Sequence, residues 1–136
     1  MKIFLVYGEK DAGKSTACSK ILKLLLALSA KVKFYDTFSW GDFKTLVTLE
    51  NKLIGIYTPG DERAHLREAI AFGYDNGCDI LIASVRKGIA YNAPLEEISD
   101  KDEAEWVEIA KGAVENEMEH LENGLAIDIL NKIYNA

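Results

Sequence analysis

Lys2-Ile3-Phe4-Leu5-Val6-Tyr7-Gly8-Glu9-Lys10-Asp11-Ala12-Gly13-Lys14-Ser15-Thr16 reads as a short buried strand, a glycine-bounded loop and the start of a helix. From Gly8 to Ser15 it fits G-x-x-x-x-G-K-[ST] at every fixed position. Glycines let a backbone curl closely around an anion, and successive N–H groups then point inward. The positive end of the following helix dipole would lie beneath that anion. The strand before the loop and the helix after it are the context this pattern needs.

On these residues the chain resembles the P-loop NTPases. The resemblance implies phosphate binding by Gly8, Glu9, Lys10, Asp11, Ala12, Gly13, Lys14, Ser15 and Thr16, with Lys14 reaching the β- and γ-phosphates and Ser15 ligating Mg²⁺. The whole chain is also similar to small bacterial P-loop proteins, which bears on fold rather than function.

A chain of 136 residues is expected to form one domain, residues 1–136, large enough to bury a core without disulfide or metal staples. Its net charge of −6 argues against a general nucleic-acid or anionic-membrane surface, since both need a basic footprint. Cys18 and Cys78 are isolated and lack metal-ligand spacing, so they read as buried free thiols in a reducing, cytoplasmic setting. No signal peptide is expected, because Gly8 interrupts the apolar N-terminal run. The Ile21–Leu28 run is too short to span a bilayer and contains Lys23.

Beyond the loop, residues 15–29 are expected to be a helix with Ala17, Ile21, Leu24, Leu25 and Leu28 inward. Residues 32–36 form a strand ending in Asp36. Residues 43–49 and 53–57 read as the arms of a hairpin turning through Glu50-Asn51-Lys52, with a helix over 42–50 as the competing reading. Asp61 and Glu62 open a helix to about Asn76, with Leu66, Ala69, Ile70 and Phe72 or Gly73 inward, and Asn76-Gly77 stops it. The apolar run 79–84 suits a strand covered on both faces, 105–110 a last strand, and 114–134 a last helix with Met118, Leu121, Leu125, Ile129, Leu130 and Ile133 inward. Alternating strands and helices predict an α/β fold: a three-layer, P-loop NTPase-like sandwich, mostly parallel, with one antiparallel strand from the hairpin.

Further chemistry is expected at the carboxyl ends of the strands, where ligands gather in open α/β sheets. Asp61 is the leading candidate for a second acid at Mg²⁺, and capping its helix is the ordinary alternative. Tyr57-Thr58-Pro59-Gly60 resembles the D-x-x-G turn of small GTPases, with Tyr57 in place of the Asp; the resemblance implies that the Gly60 N–H faces a γ-phosphate. Asp36 could orient or deprotonate an acceptor, against an ordinary turn at a strand end, and Thr37 could approach the metal. Arg86 could neutralise phosphate charge in the transition state, against a solvated basic turn with Lys87. Trp40 could stack on a base, though packing is its ordinary role. His65 and His120 read as surface residues, and Arg63 and Arg67 as partners of Glu62 or Glu68.

The guanine-reading N-K-x-D string is absent, so ATP is favoured over GTP. Three functions stay open: an NTPase switching a contact with a second copy or a protein partner, a small-molecule or nucleotide kinase, and a non-catalytic nucleotide-binding module. Each expects MgATP as the ligand, Lys14 stabilising phosphate charge, and neither nucleic acid nor membrane as partner.

Overall fold

The apolar run at the start of the chain becomes β1 (Lys2–Gly8), in which Ile3, Phe4, Leu5 and Val6 are all fully buried. Such a strand must be covered on both faces. The computed structural model, which describes residues 1–8, 14–86, 98, 102–108 and 115–135, supplies that cover.

In chain order the further elements among the described residues are α1 (Lys14–Ala27), β2 (Lys31–Thr37), β3 (Phe43–Leu49), β4 (Lys52–Tyr57), α2 (Arg63–Asp75), β5 (Ile80–Arg86), β6 (Glu103–Glu108) and α3 (Glu115–Tyr134). The six strands of the described residues lie in the order β2-β3-β4-β5-β1-β6. β4, β5, β1 and β6 are parallel neighbours, and β3 runs antiparallel to both β2 and β4. The fold is therefore α/β, with a mostly parallel mixed sheet in which β3 is the reversed strand.

One face packs Phe4, Val6, Ile56 and Ile82 against Ala17, Cys18, Ile21 and Leu25 of α1 and Leu125, Ala126, Ile129 and Ile133 of α3. The other packs Ile3, Leu5, Leu81 and Ala83 against Leu66, Ala69 and Ile70 of α2. Period-2 strands between period-3.6 helices give the chain two cores separated by one sheet.

Residues 43–57 form the hairpin rather than a helix. Phe43, Thr45, Val47 and Leu49 alternate onto the face beneath α1 and α3, and β-branched residues favour the extended backbone. The turn is shorter than its expected three residues. Lys52 already belongs to β4, and Glu50 and Asn51 carry φ of 49° and 68°, the pattern of a type I′ turn that matches strand twist.

Other boundaries also differ. Leu28 lies beyond α1 and is exposed, because Ser29 turns through φ 74° and takes the chain away from the helix axis. Asp61 and Glu62 precede α2 instead of forming its first turn, since Glu62 is extended and its N–H donates to His65 Nδ1 at 3.2 Å. His65 is thus a cap partner of its own helix. Gly77, at φ 67°, reverses the chain after Asn76 as expected. Val85 and Arg86 continue β5, and β6 begins two residues earlier than expected, at Glu103. The side chains of Met118, His120 and Leu121, and the loop expected around Pro94, lie outside the described residues. No helix among the described residues is long and apolar enough to cross a membrane.

Candidate functional site at the carboxyl end of the sheet

Because β3 is reversed, its beginning shares an edge of the sheet with the ends of the parallel strands. Asp42, which enters β3, therefore meets Ser15 at the start of α1 and Thr58 at the end of β4. Ser15 Oγ donates to Asp42 Oδ1 at 2.8 Å, and Thr58 Oγ1 donates to the same oxygen at 2.9 Å. Thr58 is 1% exposed and its Oγ1 accepts the Phe43 N–H at 2.9 Å, so it joins the acid to the backbone of the next residue. The Thr58 N–H in turn donates to the Phe43 carbonyl at 3.0 Å. Hydrogen bonds to an ionised carboxylate are among the stronger kind, which fixes the rotamer of Asp42.

Lys14 lies one residue before Ser15. It is only 7% exposed, and its Nζ donates to the Gly8 carbonyl at 3.4 Å. A lysine head is costly to bury, and this one is held where β1 gives way to α1. Behind it, Cys18 Sγ lies 3.6 Å from Ser84 Oγ on β5. Burial pushes the Cys18 thiol up to about 11; the Ser84 hydrogen bond and the Lys14 charge oppose that rise and the Asp42 charge adds to it. Lys14 and Asp42 are thus close enough to act on one thiol.

Gly60 is positioned by close packing. A Cβ built there would lie 2.2 Å from the Ser84 carbonyl oxygen, and the Gly60 carbonyl accepts the Arg86 N–H at 2.8 Å. Only a residue without a side chain lets the turn after β4 seat against β5. Between that turn and β1 stands β5, so Gly60 reaches the edge one strand removed from Gly8. Arg86 ends β5 in register with Gly8, and its side chain is exposed.

The other expected residues fall elsewhere. Asp61 is exposed, just after the Gly60 turn, and the Ser15 hydroxyl bonds Asp42 rather than Asp61. Asp36 is exposed on β2, and its Oδ1 accepts the Thr37 N–H at 2.9 Å, a bond to the next residue of the same strand rather than the two-residue reach of an Asx turn. β2 stands four strands from β1, roughly 19 Å across the sheet at the usual strand spacing. Thr16 is exposed in the first turn of α1. Glu9, Lys10, Asp11, Ala12, Gly13 and Lys87, and the side chain of Trp40, lie outside the described residues.

Asp42 and Thr58 are the residues that sequence reasoning missed as a pair. What brings Asp42 to this edge is the direction of β3 rather than the residues beside it: a strand that runs antiparallel begins where the parallel strands end.

The donor set suits a small hard cation. Ser15 supplies a hydroxyl and Asp42 a carboxylate, and among the described residues nothing donates to Asp42 Oδ2. Mg²⁺ commonly takes one or two protein oxygens and completes its shell with phosphate and water.

A cavity of about 730 Å³ opens at the opposite, amino end of the sheet, lined in part by Lys2, Lys52, Asp79, Glu103, Glu105 and Lys132. Lys132 Nζ donates to Glu105 at 2.6 Å, and Lys2 lies 3.7 Å from the same carboxylate. The bond from Lys132 to Glu105, followed by that to Asp128, raises the Lys132 pKa.

Compared with protein-family models, with curated proteins and with solved structures, the chain shows no significant match to any of them.

Proposed function

We propose that this chain is a P-loop nucleoside triphosphate-binding protein that takes MgATP and acts at the γ-phosphoryl group as a nucleotide-dependent switch. The observation that carries the reading is the bond from Ser15 Oγ to Asp42, at 2.8 Å, in the first turn of the helix that follows the glycine-bounded loop. In P-loop enzymes an acid and the loop Ser/Thr together hold the metal. Asp42 takes that role here in preference to Asp61 because its carboxylate is already bonded to the Ser15 hydroxyl.

In this reading the triphosphate lies over the amino end of α1, where backbone N–H groups and the helix dipole favour anions. Lys14 exchanges its bond to the Gly8 carbonyl for the phosphate oxygens. Ser15 and Asp42 would hold Mg²⁺, whose chemistry when bound is to neutralise charge on those oxygens. Arg86, beside Gly8 in the sheet, can bring a guanidinium to the same charge. The kinase alternative has less support, because Asp36 lies on the far edge strand, where its carboxylate bonds the N–H of the next residue.

Calorimetric titration with ATP and GTP, with and without Mg²⁺, tests the proposal. MgATP is expected to bind the wild type, and Lys14→Ala to weaken it about 100-fold, or ~3 kcal/mol. A wild type that binds neither nucleotide overturns the proposal.

A further inference from the structure

We infer that Thr58 is a positioning residue for the metal side of this site: its hydroxyl aims Asp42 so that Oδ2 faces the place a divalent cation would occupy. The inference rests on the MgATP reading above and deepens it. A carboxylate free to rotate about its last bond offers either oxygen to Ser15. Here one oxygen accepts from both Ser15 and Thr58, at 2.8 and 2.9 Å, and that pair of bonds leaves the other oxygen clear among the described residues.

Thr58 itself cannot swing away. It is 1% exposed, its hydroxyl oxygen is already an acceptor for the Phe43 N–H, and its backbone bonds the Phe43 carbonyl. A hydroxyl accepting one N–H has its proton left to donate, and the Asp42 carboxylate takes it. The residue after next, Gly60, is locked against the Ser84 carbonyl. The acid therefore takes its aim from the β4–β5 framework, although it enters the site from the β2–β3 loop. Outer-shell partners of this kind typically set metal affinity by 10- to 100-fold.

The test is ATP affinity in Mg²⁺ and in EDTA for wild type, Thr58→Val, Thr58→Ala and Thr58→Ser, with circular dichroism to verify folding. Thr58→Val is expected to reduce the Mg²⁺ enhancement of ATP affinity about tenfold. ATP affinity in EDTA should stay within about twofold of wild type, and Thr58→Ser should restore the enhancement. Thr58→Ala serves the same comparison if the valine variant does not fold. A general packing role would lower both affinities together, so an equal loss in Mg²⁺ and EDTA overturns the inference. Full Mg²⁺ enhancement in the valine or alanine variant overturns it too, as does its loss in the serine variant. Failure of the underlying reading is separate: it shows in the wild type as no ATP binding or no Mg²⁺ enhancement, and the inference falls with it.

Discussion

The two ends of the sheet hold their charges in opposite ways. At the amino end, Lys2, Glu105 and Lys132 form a connected group in which cations and carboxylates answer one another. At the carboxyl end, Asp42 is held by two hydroxyls, and Lys14 donates to a backbone carbonyl. Hydroxyl partners orient a carboxylate without supplying an opposite charge. The Asp42 carboxylate is thus held by hydroxyl groups, whereas the Glu105 carboxylate at the amino end is held by cations.

This contrast can be broken first where the carboxyl end is most tightly built. Gly60→Ala places a methyl group 2.2 Å from the Ser84 carbonyl oxygen, a backbone atom that cannot rotate aside. Urea denaturation should show a loss of about 3 kcal/mol, the upper range for overpacking. A loss under about 1 kcal/mol would mean that the β4–β5 junction is not a rigid support for the site.

At the amino end the expected losses are smaller. Asp79 joins β4 to β5, its Oδ2 accepting the Leu53 N–H at 2.8 Å while its own N–H donates to the Leu53 carbonyl at 2.9 Å. Asp79→Ala removes the first bond and keeps the second, so it should cost about 1 kcal/mol by the same measurement.

Glu105→Gln should cost less still, about 0.5 kcal/mol at low salt and nearly nothing in 1 M NaCl, because the pair with Lys132 is only partly covered. The pH dependence has a definite sign. Glu105 and Asp128 raise the folded-state pKa of Lys132, so their contribution is fully present below the ordinary lysine value of 10.5 and is lost as pH rises through the folded value. Wild type and Glu105→Gln should therefore converge in stability at high pH. Unchanged differences in high salt and at high pH would remove the electrostatic account of this end.

Much of the sheet was legible in the sequence because its signals are local. The period of Phe43, Thr45, Val47 and Leu49 distinguishes the hairpin from a helix, and Leu66, Ala69, Ile70 and Gly73 mark the inner face of α2. Lys14 and Ser15 stand out in the sequence for the same reason, since the pattern that singles them out lies within eight residues. Asp42 was not. Its two hydroxyl partners lie 27 and 16 positions away, and nothing in its neighbours separates it from Asp36 or Asp61. Acids are expected at the ends of forward-running strands, and the reversal of β3 brings a strand beginning to that edge instead. The packing role of Gly60 was hidden in the same way, because the carbonyl that excludes a side chain belongs to a strand more than twenty residues on.

The two buried cysteines have a practical consequence. With thiols pushed up to about 11, Cys18 and Cys78 each hold only about one part in ten thousand as thiolate at neutral pH, and both are shielded from solvent. A single cysteine introduced on the exposed strand β2 would therefore react with maleimide dyes far ahead of either. The natural sequence is already suited to one-site fluorescent labelling, with neither native thiol replaced.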